Sequence, residues 1–246
     1  MKNIYNEEEY AEKILKEGKL LSGRIQFQFN VLAKYWFFTK GYAKPEVRAR
    51  LIDFCEKCVP GFNFNIHHKM IVRAITHLSS KRCQYVKIEG IFISDEFVQY
   101  FVRLDLPYDT KKFLFTLAVF GKINKALGRG EEFVQSNSNF RDIQQSADIK
   151  IEGMFWETFI KKMFEDGILR VTVNGSLKLL FLKNIPKGEE IYKISDFHNL
   201  GLWYDVYCGD RRRKVCEKCG QIFKKRTAKS NSQIYCYSCS KNKQPY

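Results

Sequence analysis

The chain has 246 residues, 45% of them hydrophobic, with 21 Phe, 13 Tyr and a formal net charge of +15. That is ample apolar material for at least one packed core, which excludes a disordered chain and a small disulfide-stapled scaffold, and the basic balance points to a polyanionic partner. No apolar run approaches the ~18 residues of a spanning helix, and the polar start MKNIYNEEEYAEKILKEGK does not read as a signal segment, so a cytoplasmic protein with no membrane partner is expected.

Residues 1–105 read as a helical domain. Glu7–Glu17 is a short charged helix, and Ile25–Phe38 is aromatic almost all round, which predicts a helix buried between others. Pro45 suits a first helical turn, Val47, Leu51, Ile52, Phe54 and Cys55 form an apolar stripe, and Pro60-Gly61 ends that element. A further helix is predicted from Ile66 to about Leu78. Ser94-Asp95 can cap another through Val102.

Residues 106–185 carry a different pattern. An apolar helix ended by Gly128, a short one over Asn139–Ile149 and a third over Met154–Gly167 precede ILRVTV, Asn174-Gly175 and SLKLLFL. Asn-Gly between two β-rich runs is a hairpin signal, because a type I′ turn needs positive φ at both central positions. Three helices followed by a hairpin is the order of a winged helix-turn-helix. The near-repeat KIEGIF (Lys87–Phe92) and KIEGMF (Lys150–Phe155) does not extend further; it reads as coincidence or as a second winged-helix-like unit near residues 62–104. Residues 186–210 are expected to be a connector with a possible helix beginning near Ser195, and Gly209–Lys214 a hinge. The predicted fold class is mainly α: a helical N-terminal domain, a central winged helix and a C-terminal zinc ribbon.

CEKC occurs twice. The second copy, Cys216 and Cys219, is followed after sixteen residues by Cys236 and Cys239, the spacing of two knuckles whose four thiolates surround one structural Zn²⁺. Gly220 suits the tight turn, and Phe223 and Tyr235 supply a small apolar plug. The first copy, Cys55 and Cys58, has no partner pair and sits within an amphipathic helical pattern, so buried helix cysteines are expected there. A Cys2His2 site with His67, His68 or Cys83 is the alternative.

Charge is concentrated at the end. From Arg211 onward eleven Lys and Arg face one acid, Glu217. Arg211, Arg212, Arg213 and Lys214, with Lys224, Lys225, Arg226 and Lys229 between the knuckles, are candidate phosphate contacts on one zinc-ordered module. Glu157, Thr158, Lys161 and Lys162 are the outward residues of the third winged-domain helix. Lys161 and Lys162, and Lys178 on the wing, are further candidates for nucleic-acid contact, although a winged helix used for protein contacts looks much the same. There is no Walker loop, dinucleotide turn, HExxH or compact acid pair, so a non-enzymatic role is expected.

Two stretches resemble known families. VLAKYWFFTKGYAKPEVRARLIDFCEKCVPGFN, with the helix near HHKMIVRAI, resembles the helical C-terminal module of primases and related mobile-element replication proteins; Ala43-Lys44-Pro45-Glu46 replaces the usual capped turn. CEKCGQIFKKRTAKSNSQIYCYSCSK resembles the C-terminal zinc ribbon of small phage and plasmid proteins of low-GC Gram-positive bacteria. The resemblances imply a DNA-binding factor of a phage or mobile element acting in replication or transcription control. A module that targets a host polymerase or defence nucleoprotein, and RNA binding, are the alternatives.

Overall fold

The computed structural model describes residues 4–81, 83–134, 141–149, 153–173, 176–225 and 233–241. Asn6 accepts a hydrogen bond from the Glu9 amide (3.1 Å) and starts α1 (Glu7–Glu17), which ends at Gly18 with φ 60. Side-chain capping at one end and a left-handed glycine at the other satisfy the orphaned groups of the helix termini. The aromatic run splits into α2 (Ile25–Lys34) and a π-helical turn (Tyr35–Thr39), where a continuous helix through Phe38 is expected from sequence. The wider turn keeps Tyr35 and Trp36 buried and leaves Phe38 exposed. Next come α3 (Lys44–Cys58), with proline in its first turn, and α4 (Phe64–His77), capped by Asn63.

These elements make one of two compact units, Asn3–Glu89. Its core joins Ile14 of α1, Phe29 and Leu32 of α2, Leu51 and Phe54 of α3 and Ile71 of α4. A buried ion pair crosses it: Lys34 Nζ lies 2.8 Å from Glu7 and also donates to the Gln84 carbonyl at 2.8 Å. Glu7 in turn accepts from the Val86 amide at 3.0 Å, so residues 84–86 are tied to α1.

The chain is mainly α in its second unit too, Gly90–Tyr246. The division falls after Glu89 rather than at 105, because β1 (Ile91–Ser94) pairs antiparallel with β5 (Glu190–Ile194), Ile91 opposite Ile194. After β1, Ser94 caps α5 (Asp95–Arg103) by accepting from the Phe97 amide at 3.1 Å. The predicted connector therefore contains the strand that recruits residues 90–105. The near-repeats also part here: Ile91 and Phe92 are in β1, whereas Met154 and Phe155 are helical.

At the centre lies α6 (Tyr108–Ala126), buried from Lys112 to Val119 along its whole circumference, with Gly128 at φ 70 beyond its end. Against it pack α5, α7 (Arg141–Ala147) and α9 (Leu200–Tyr207). Phe115 of α6 meets Phe97, Phe101 and Tyr204 at ring-centroid distances of 5.9, 5.7 and 5.2 Å. Against α6 and α8 (Gly153–Glu165) packs a small antiparallel sheet of β2 (Phe133–Val134), β3 (Leu169–Val171) and β4 (Leu177–Leu179), in the order β2-β4-β3. Ile160 and Met163 of α8 are buried as their spacing predicts. Asn174-Gly175 lies outside the described residues; on either side the Thr172 amide donates to the Ser176 carbonyl at 2.8 Å.

Candidate metal centre and basic surface

The ribbon begins with a two-stranded hairpin, β6 (Arg213–Val215) and β7 (Ile222–Lys224), and ends in the short α10 (Tyr237–Lys241). The first knuckle lies in the hairpin turn. Gly220 takes φ 69 there, and its amide donates to the Cys216 carbonyl at 2.8 Å, a conformation that glycine adopts without cost. Glu217 N–H donates to the Ile234 carbonyl at 3.1 Å and joins the second knuckle to the first. Cys239 is carried on α10, just after Cys236.

The four sulfurs of Cys216, Cys219, Cys236 and Cys239 all lie within 4.8 Å of one another and can hold a metal ion. The Cys219 and Cys236 sulfurs are 3.8 Å apart, and a tetrahedron with metal–sulfur bonds of about 2.3 Å has edges of about 3.8 Å. The surroundings favour thiolate at one corner. Burial opposes ionisation of Cys216, but the backbone N–H groups of Cys236, Cys219 and Lys218 outweigh it and pull the thiol down to about 6; the Cys236 amide lies 3.3 Å from its sulfur. Burial and the three neighbouring sulfurs push Cys239 up to about 12. A cation shared by the four sulfurs removes that mutual opposition, so the donor set fits a thiophilic ion.

The first CEKC is different. Cys55 is wholly buried on α3 in the N-terminal core, and Cys58 and Cys83 border the same core. Among the described residues, the C-terminal four cysteines form the one His/Cys/acid group that can hold a metal.

Among the described residues, the basic side chains of the ribbon divide between the two faces of its hairpin. In β6 and β7, Arg213 lies opposite Lys224 and Lys214 opposite Phe223, and because directly opposed residues share a face, Arg213 and Lys214 point to opposite sides of the hairpin. Arg213 turns inward: its Nη1 lies 2.6 Å from Asp205 on α9 and 3.4 Å from Asp210. The expected hinge at Gly209–Lys214 thus runs into a paired strand whose arginine is bound to α9. Ser195 reinforces the seat, its hydroxyl 3.4 Å from the Gly220 carbonyl. Arg211, Arg212 and Lys224 are exposed, and Lys214 and Lys225 are half-buried. Arg226 and Lys229 lie outside the described residues.

On α8, Glu157, Thr158, Lys161 and Lys162 are exposed as predicted, with Lys161 3.6 Å from Glu165. Lys178 sits on the middle strand of the small sheet, 3.2 Å from Glu132. Asp205 carries no signal in the sequence. It accepts from Tyr108 (2.8 Å), Lys112 (3.0 Å) and Arg213 (2.6 Å), and no local motif announces that convergence of residues nearly a hundred positions apart.

No family model, curated protein or solved structure matches the chain.

Proposed function

We propose that the protein is a non-enzymatic DNA-binding factor, of a phage or mobile element, that docks on phosphates through a basic ribbon ordered by one structural Zn²⁺. The observation that carries this reading is the coincidence of the four-sulfur cluster with the most basic part of the chain, eleven Lys and Arg against one acid from Arg211 onward. Zinc suits a closed set of four thiolates at tetrahedral spacing. Arg211, Arg212, Lys214, Lys224 and Lys225 are the described side chains assigned to phosphate contact; Arg213 is engaged with Asp205 at 2.6 Å, and Arg212 lies 3.7 Å from Asp210. The order α6-β2-α7-α8-β3-β4 with strand order β2-β4-β3 supports a winged helix beside the ribbon, with α8 as its third helix. Replication or transcription control is the task such a pair of modules serves.

Neutralising Lys224, Lys225 and Arg226 together tests the reading. Affinity for a DNA duplex should fall, and the slope of log K against log salt should flatten by about 0.9 for each phosphate that is no longer neutralised. Equal affinity and slope in the triple variant would remove the ribbon from the interface. Parallel titrations with RNA decide between the two nucleic acids.

A protein partner is the second reading, favoured for α8 by its mixed outward face, where Glu157 and Glu165 accompany Lys161 and Lys162. Recovery of one host polymerase or nucleoprotein component after nuclease treatment, abolished by reversing the charge of Lys161 and Lys162, would support it.

A further inference from the structure

The solvent face of α4 is built from Asn65, Lys69, Arg73 and Thr76, all exposed or half-exposed. Their spacing of four, four and three residues puts them in one row along the helix. Behind the row, Ile71 and Ala74 anchor α4 in the core of the N-terminal unit. Each member of the row is a residue type that hydrogen-bonds to base edges or phosphates.

The electrostatics of this face are one-signed. Along the row the charges are Lys69 and Arg73, and the sequence from Val59 to Ile88 contains no acid; Lys87, within that stretch, is paired with Glu8 of α1. Neither Lys69 nor Arg73 has an acidic partner among the described residues. From α3, Lys44 donates to Ser79 beyond the far end of α4, and the Arg48 guanidinium lies 6.0 Å from the Phe64 ring at its start. Of the three acids of α3, Glu46 and Asp53 are paired along their own helix with Arg50 (3.3 Å) and Lys57 (2.6 Å), and Glu56 is exposed in its last turn. Two apolar side chains flank the row: Ile66 is 72% exposed and Val72 39%. Both add apolar surface beside the row, and a thymine methyl is a matching contact for it.

We infer that α4 is a second DNA-contacting element, which lies in the major groove of a duplex and contacts it through Asn65, Lys69, Arg73 and Thr76. This rests on the reading of the chain as a DNA-binding protein and adds to it a site in the other unit. A helix of 14 residues is about 21 Å long and, with side chains, about 10–12 Å across, and the major groove of B-DNA is about 12 Å wide. The contrast with α8 decides which helix is better suited to the groove. The outward face of α8 includes Glu157 and Glu165, which phosphates repel, and Lys161 is paired with Glu165; α4 has no acid at all.

The test uses the full chain and the double substitution K69A/R73A, titrated against a fluorescent duplex and a single strand of the same sequence at several salt concentrations. Both side chains are exposed, so the far-UV dichroism and melting temperature should not change. Duplex affinity should fall about tenfold or more, with the salt slope reduced by about 1.8 for two phosphates, and single-strand binding should change much less. Wild-type binding that survives the double substitution with affinity and slope intact overturns this inference alone and leaves the ribbon reading standing. Equal reductions on duplex and single strand overturn the groove assignment. Absence of any nucleic-acid binding by the wild-type chain at low salt overturns both readings.

Discussion

Arg213 on β6 holds the carboxylate of Asp205 on α9, nitrogen to oxygen 2.6 Å, and the same carboxylate accepts from Lys112 at 3.0 Å and Tyr108 at 2.8 Å. One buried acid thereby joins the central helix α6, the last long helix α9 and the ribbon hairpin. Burial, then the carboxylate of Asp205 accepting the Tyr108 hydroxyl, raise the Tyr108 phenol well above its ordinary range, so it stays a donor throughout the accessible pH range.

Asp205→Ala should therefore be among the more damaging single changes in the second unit. The Lys112 side chain is only 6% exposed and would be left with the more distant Asp148 carboxylate at 3.6 Å, so the cost should approach that of leaving a buried charge unpaired, about 3–5 kcal/mol. Asp205→Asn retains an acceptor and should cost less. Denaturant unfolding of both variants measures the difference, and a destabilisation below about 1 kcal/mol for the alanine variant would show that the carboxylate is not the hub of this network.

Metal content is the second expectation. The purified chain should carry one equivalent of zinc, and Cys216→Ser or Cys236→Ser should abolish it. Chelation should leave helix content nearly unchanged, because every described helix except the short α10 precedes the four cysteines, while opening residues 211–241 to protease. Structural zinc in such modules is worth about 10–16 kcal/mol at neutral pH, so an apo ribbon as protease-resistant as the loaded one would rule out a structural ion there.

A third prediction concerns alkaline pH. Burial, with Cys58 and Glu56 adding to it, pushes the Cys55 thiol up to about 12, whereas a thiol in the unfolded chain ionises near ~8.5. The folded state thus keeps a proton that the unfolded state releases. The contribution of Cys55 is complete below about pH 8.5 and declines as pH rises toward the folded value. The stability margin of wild type over Cys55→Ala should narrow above that point, by at most about 1.4 kcal/mol per pH unit. Thermal unfolding of both proteins between about pH 7 and 10 spans the unfolded thiol's titration and checks it; a constant margin would place Cys55 in contact with solvent.

Gly201 supplies the fourth. A Cβ at this position in the first turn of α9 would lie 1.8 Å from the Ala147 carbonyl oxygen on α7. Backbone cannot swing aside as a flexible side chain can, so Gly201→Ala should cost about 3 kcal/mol or more through separation of α9 from α7. A melting temperature equal to wild type would mean that the two helices have room for a methyl group between them.

Much of this architecture could be read from local pattern. The stripe of α3, the continuous apolar run of α6, the Ser94 cap and the paired cysteine knuckles each depend on residues a few positions apart, and the structure has them where the spacing predicts. The pairing of β1 with β5 could not be read that way, since it joins segments about a hundred residues apart and each strand is only four or five residues long. The face of α4 was legible in principle, through the absence of acids from Val59 to Ile88. It was hidden because the ribbon holds the larger share of the net charge.

Arg213 marks the boundary most sharply. Composition and spacing by themselves determined a mainly helical chain with a basic, four-cysteine end, because helix periodicity and ligand spacing are short-range properties. Which of those basic side chains faces solvent was decided only by the tertiary structure. Strand alternation turns Arg213 toward α9, and a buried carboxylate that needs a cation is already there to receive it.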